Sequence, residues 1–307
     1  MKVSFWGVRG SIPISGVTTK KYGGNTSCIS ISSDNSDSLI ILDAGTGIRE
    51  LGQTIIHDNT VKNIHIFFTH AHWDHIQGLV YFEPLYRSGY KITIYSPVKE
   101  GKSIERILDT VFGDAFSRLS RNDWNADVRI IEFDDSTALT IKGGYTISSS
   151  PLNHPWDADA YRIEHNGNVC VYVTDTAPFD HLILGHEFIG KSPDLSTLPV
   201  SGEIASLEKM KSGLINLCNN ADLIVYDTMF LSDDYNRNPH WGHSTPEHAI
   251  EICKKVNADH LVLFHHAPER TDEMLDQMSE KYSLSRNPLI TVARENTSVF
   301  ITKSGEQ

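Results

Sequence analysis

The sequence predicts an α/β (α+β) fold in which two β-sheets pack face to face with helices on their outer sides. Three observations carry this. Strand patterns dominate the first half, they dominate the second half again, and helical periodicity is confined to segments between them. A chain of 307 residues can bury a substantial core, as one large domain or two ordinary ones. No repeat, low-complexity tract or linker marks a boundary, so residues 1–307 are read as one domain.

The elements follow in order. "KVSFWGV" alternates as a strand and enters a Gly/Ser/Pro loop that lasts to about Tyr22. "TSCISIS" and "SLIILDAG" are strands, the second ending at Asp43, and "GTGIRELGQTII" is a short helix. "IHIFFTH" is a strand that ends at His70. "QGLVYFEPLYRSG" reads as helix, "KITIYSP" as strand and "GKSIERILDTVFGDAF" as helix. A second run of strands spans "VRIIEFD", "ALTIKGGYTISSSPLNH" and "DAYRIEHNGNVCVYVTDT", with hairpin turns at "GG" and "HNGN". Residues 177–212 lose periodicity and collect Gly, Ser and Pro, which suggests an insertion or lid, an ordinary helix and loop being the alternative. "ADLIVYDTMF" is a strand. "STPEHAIEICKKVN" opens a helix with Thr245 as N-cap and Pro246 in the first turn. "HLVLFHH" closes as a strand, and a short helix covers "TDEMLDQMSEKY".

Composition excludes several classes. With 39% hydrophobic and 21% charged residues the chain is neither disordered nor fibrous. No apolar run approaches the roughly 20 residues of a membrane span, and the N-terminus does not read as a signal peptide. The four cysteines are widely spaced and read as buried thiols in a reducing cytoplasm. A formal net charge of −12 argues against a general nucleic-acid binder. A local basic patch or a metal pair could still receive phosphate.

The stretch "THAHWDHIQG" carries the chemistry. His70, His72, Asp74 and His75 fall in six positions, on a loop leaving the end of a strand, where scaffolds commonly mount functional groups. In such a loop His70 and His72 can converge on one ion while Asp74 and His75 turn toward a second. Imidazole with carboxylate suits zinc and related borderline metals, and the absence of Cys disfavours a structural zinc knuckle.

This run resembles the signature of the metallo-β-lactamase superfamily of binuclear metallohydrolases, and further pieces arrive in that family's order. The resemblance implies a four-layer αββα sandwich of the metallo-β-lactamase type. It assigns one metal site to His70, His72, His154 and Asp175, and the other to Asp74, His75, Asp175 and His265, with His265 favoured over its neighbour His266. It makes Asp43 the buttress of the histidine loop. The implied cofactor is a pair of divalent ions, zinc first, with manganese or iron as alternatives. His72, where a carboxylate would be called for, disfavours the diiron flavoprotein branch.

Other motifs resemble the phosphodiesterase branch, which includes ribonuclease Z and small cyclic-phosphate phosphodiesterases. These are "WGHST" with His243, "LIVYDTMF" with Asp227, and the opening "GVRGSIP…YGGNTSC" with Asn25 near the site. The implied reaction is phosphodiester hydrolysis by hydroxide that the two metals generate. Asp74 is then a ligand that also accepts a hydrogen bond from the nucleophile, His243 the general acid and Asp227 its orienter. For Arg9 an ordinary surface salt bridge is the favoured reading, a phosphate contact being the alternative. The acidic balance and the lack of a long Gly/Pro-rich arm favour a small or cyclic nucleotide-type substrate over tRNA. A tRNA 3′-end endonuclease or a thioester or lactone hydrolase is the alternative, and a homodimer is left open.

Overall fold

A computed structural model describes residues 1–302, except 35, 100, 102, 114–116, 135–137, 156, 180–200 and 239–240. The expected insertion or lid at 177–212 therefore lies largely outside the described residues. Two seven-stranded sheets form the centre. The first contains β1 (Lys2–Gly7), β2 (Cys28–Ser32), β3 (Ser38–Leu42), β4 (Asn63–Phe67), β5 (Lys91–Pro97) and β6 (Asp127–Phe133). The second contains β7 (Leu139–Ile141), β8 (Tyr145–Pro151), β9 (Asp159–His165), β10 (Asn168–Val173), β11 (Leu223–Asp227), β12 (His260–Phe264) and β13 (Leu289–Val292). The last strand, β14 (Thr297–Phe300), returns to pair antiparallel with β1 in the first sheet.

Each sheet is half antiparallel and half parallel. In the first, β3, β4, β5 and β6 run parallel; in the second, β10, β11, β12 and β13 do. Parallel strands need crossovers, and these supply the outer helices. Helices α1 (Ile48–Asp58), α2 (Trp73–Ile76) and α3 (Ile104–Val111) belong to the first half. Helices α4 (Ser201–Cys218), α5 (Ser232–Arg237), α6 (Pro246–Lys255) and α7 (Asp272–Tyr282) belong to the second.

Strand alternation sorts the apolar residues into three cores. Ile40 and Leu42 of β3 point between the sheets, where they join Phe67, Tyr161, Tyr172 and Phe264. Leu39 and Ile41 point outward and pack with Ile48, Leu51, Leu108 and their neighbours on α1 and α3. On the opposite outer face Val171 and Ile224 pack with Leu214 of α4, Cys253 of α6 and Leu275 of α7. Helix, sheet, sheet and helix are thus four layers, as expected. All four cysteines are buried and free.

Local chemistry explains the turns. Gly143 and Gly144 have φ of 92° and 79°, and Asn166 and Gly167 have 49° and 75°, so both hairpins bend through paired left-handed residues. Thr245 caps α6, its side chain accepting from the amide of His248, and Pro246 occupies the first turn. One expectation fails: "QGLVYFEPLYRSG" is not a continuous helix but two 3₁₀ turns, Leu79–Tyr81 and Glu83–Tyr86. Pro84 has no amide to continue an α-helical ladder through this segment.

Candidate metal centre

Both sheets send the C-terminal ends of their strands to one place. The loop after β4 carries His70 and His72, and α2, which follows it at once, carries Asp74 and His75; the turn after β8 carries His154; Asp175 follows β10, Asp227 ends β11 and His265 follows β12. One ligating atom each of His70, His72, His154 and Asp175 lies within 4.8 Å of the others. The same holds for Asp74, His75, Asp175 and His265, and for Asp175, Asp227, His243 and His265. Asp175 is common to all three groups and is buried. Every residue singled out from the sequence for metal or catalysis is in this constellation.

The histidine loop is held from behind. Asp43, at φ 59°, accepts from the amide of Thr69 at 2.9 Å, from its hydroxyl at 3.0 Å, from Tyr172 at 3.1 Å and from His75 Nδ1 at 2.8 Å. That bond commits Nδ1 of His75 and leaves Nε2 facing Asp74 and Asp175, 3.3 Å from a carboxylate oxygen of each. His154 is fixed in the same manner, Nδ1 donating to the carbonyl of Gly242 at 2.7 Å. Gly242 has φ 82°, and a Cβ there would lie 2.5 Å from that Nδ1, which explains the glycine of "WGHST".

The first loop of the chain closes the site from the other side. The amide of Ser11 donates to Asp74 Oδ2 at 2.8 Å, and His265 Nε2 lies 3.3 Å from the same oxygen and 3.2 Å from Asp175 Oδ1. His265 sits just past β12 with φ 61°, while His266 uses its Nε2 to donate to the carbonyl of Ala293 at 2.9 Å. His265 thus faces the carboxylates and His266 faces away from them, and burial pushes the His266 pKa down to about 3.

His243 lies beside the cluster. Its Nδ1 is 2.9 Å from Asp227 Oδ2 and 3.9 Å from Asp175. Asp227 is itself anchored, accepting from the amides of Thr176 at 3.1 Å and Met229 at 3.0 Å. Burial alone would lower the His243 pKa, but the carboxylates of Asp227 and Asp175 outweigh it and raise it to about 9.

Burial opposes charge throughout the cluster, and the nearest neighbours decide its direction. His70 is driven well below the usual imidazole range by burial and by His75 and His72 beside it. His75 goes the other way, because Asp74, Asp43 and Asp175 outweigh its burial. Against their own burial, Asp74 and Asp175 are held well below the carboxylate range by His75 and His265. The buried Nε2 atoms of His70 and His75 have no hydrogen-bond partner. Unpartnered imidazole nitrogens converging on shared carboxylates are a donor set that fits divalent ions.

One expectation about the opening motif is corrected. Arg9 is fully buried and forms no salt bridge among the described residues; it donates to the carbonyls of Gly23 at 2.8 Å, Ala267 at 3.3 Å and Arg270 at 2.7 Å. It thus ties the first loop to the segment after His265, a role that single-chain spacing does not reveal. Asn25 donates to Glu295 at 3.0 Å and accepts from Thr46 at 3.0 Å, and it belongs to none of the three clusters. Sequence reasoning also missed Ser11, whose contribution is a backbone amide and so leaves no signal in residue type.

Residues 39–202 and 200–266 match the model of the beta-lactamase superfamily domain. A ribonuclease Z of Limosilactobacillus reuteri is 26% identical over 272 residues, covering 80% of this chain and 83% of that protein. The metallo-beta-lactamase fold protein YhfI from Bacillus subtilis superposes with a TM-score of 0.65 at 18% identity, covering 97% of this chain and 98% of that one. A diphosphatase from the PhnP family superposes with a TM-score of 0.63, also at 18% identity, over 97% of this chain and 96% of its own. At such identities the structural likeness speaks for the fold.

Proposed function

The chain belongs to the beta-lactamase superfamily, and on that premise we propose that it is a metal-dependent hydrolase of a small phosphodiester of cyclic or nucleotide type. The observation that carries the reading is the His243–Asp227 pair, 2.9 Å apart and set against Asp175. Hydrolysis of a phosphodiester expels an alkoxide that needs a proton, and this pair is built to hold one.

In this reading His70, His72, His154 and Asp175 hold one divalent ion, zinc being the first candidate, and Asp74, His75, Asp175 and His265 hold a second. Bound ions of this kind supply positive charge to the phosphoryl oxygens and acidify water to a pKa of about 7. The protein does the rest. Asp43, Thr69 and the Gly242 carbonyl fix the ring orientations, and Ser11 fixes Asp74, whose carboxylate also orients the attacking water. Asp227 takes the Nδ1 proton of His243 as a hydrogen bond, so Nε2 is the nitrogen that gives its proton to the leaving oxygen.

The identity to ribonuclease Z over most of the chain supports a second reading, an endonuclease of that type. The formal charge of −12 weighs against a long polyanion as substrate. The deciding experiment measures metal content and turnover of bis-p-nitrophenyl phosphate and of 3′,5′-cyclic AMP, for wild type and His243→Ala. We expect about two ions per chain, diester turnover, and loss of most cyclic AMP turnover in His243→Ala at unchanged metal content. Full metal loading with no turnover of any diester, a pre-tRNA included, would overturn the reading.

A further inference from the structure

We propose that the cavity beside the metal centre binds the heteroaromatic base of the substrate, stacked on Trp241. The inference rests on the phosphodiesterase reading and adds to it how the organic part of the diester is recognised. The cavity measures about 480 Å³, within the range of small-molecule sites. It shares two walls with the reaction centre. Ser11 lines it and holds Asp74 through its amide. Phe230 lines it and meets the ring of His243 edge-on at 5.7 Å.

Trp241 continues this aromatic wall, 6.0 Å from Phe230. Phe230 is buried, whereas Trp241 is 50% exposed, so the open face belongs to the indole. Ile12 at 54% and Met274 at 40% exposure line the same cavity. Three large, half-open apolar side chains converging beside a polar centre mark a surface that a ligand covers. The route from His243 through Phe230 to Trp241 puts this ligand on the side where the leaving oxygen is protonated.

Charge decides its chemistry. Arg237 and Arg270 would suit a second phosphate if they were free, but both donate to Asp234, at 2.6 Å and 2.9 Å. Glu269 adds another carboxylate to the lining. A balanced wall of paired charges beside an exposed indole disfavours a further anion. It suits a planar neutral ring with hydrogen-bonding edges, which is a nucleobase.

The test is calorimetric binding of adenosine 5′-monophosphate and of ribose 5-phosphate to the metal-loaded protein. Stacking predicts that the base-bearing ligand binds roughly five- to 150-fold tighter. Trp241→Ala should bring that ratio close to one, and Trp241→Phe should retain most of it, which separates loss of the aromatic face from loss of the fold. Equal affinity for both ligands in wild type, or a ratio that Trp241→Ala leaves intact, would overturn the pocket. Turnover of thymidine 5′-(4-nitrophenyl phosphate) against methyl 4-nitrophenyl phosphate gives a separate readout. If neither these nor any of the other diesters is hydrolysed the phosphodiesterase reading fails, while the binding ratio still decides the base site.

Discussion

A methyl group on Gly10 would lie 2.6 Å from Cε1 of His265, so the second residue of the "RGS" turn is in direct contact with a proposed ligand ring. His265 is fully buried, with ligating atoms of Asp74, His75 and Asp175 within 4.8 Å of its own. Gly10→Ala should therefore displace the imidazole and leave the fold intact. We expect metal content to fall toward one ion per chain and turnover to drop about 10- to 100-fold, the range found when the groups that orient ligands are disturbed. Elemental analysis with circular dichroism as the folding control checks this.

Asp227→Asn keeps the shape of the partner of His243 and removes its charge. Turnover of a diester with a poor leaving group should fall on the order of 100-fold or more, and that of bis-p-nitrophenyl phosphate much less, because nitrophenolate leaves without a proton. Equal losses on both substrates would show that Asp227 serves the metals and not the acid.

Removal of metal should destabilise the protein as well as silence it. Asp74, Asp175 and four histidines of the cluster are buried or nearly so, and ions neutralise what would otherwise be charges held apart from water. Chelation should lower the melting temperature by roughly 5–10 °C, and zinc should restore it. Metal uptake at neutral pH should release protons, since His75 is held above its ordinary range by its carboxylate neighbours.

Glu295 gives a stability signature away from the metals. Burial raises its pKa from 4.5 to about 7, against the opposing bonds from Asn25. The folded state thus binds the proton more tightly than the unfolded chain, so this contribution is complete below pH 4.5 and is lost as pH rises to about 7. Glu295→Gln should flatten that part of the curve, seen as a wild-type-minus-variant difference in denaturant midpoint that changes between pH 4.5 and 7. A constant difference would contradict it.

What was legible in the sequence was what is local. His70, His72, Asp74 and His75 fall within six consecutive positions, and Asp175, Asp227 and His265 each stand at or just past a strand end, a position that alternation locates well. The capped start at Thr245 was legible for the same reason. The 3₁₀ turns around Pro84 were not, since apolar spacing over that stretch fits a helix equally well. Arg9 was misread because its acceptors are carbonyls up to 261 residues away, and a carbonyl has no residue type. The Trp241 cavity was invisible for a related reason: its walls come from the first loop, the segment after β11, the segment after β12 and the start of α7.

The site is also divided across the chain in a way that orders its assembly. Asp74 and His265 share a contact at a sequence separation of 191 residues, and each of the two proposed metal sites draws its residues from both sheets. During synthesis the histidine loop leaves the ribosome long before its partners do. A half-made chain can hold at most a fragment of the proposed coordination shells, so capture of the proposed metal pair would follow the docking of one sheet on the other. On the proposed assignment, metal loading would then be a record that folding has finished, and no ion would be committed to a chain that has yet to close.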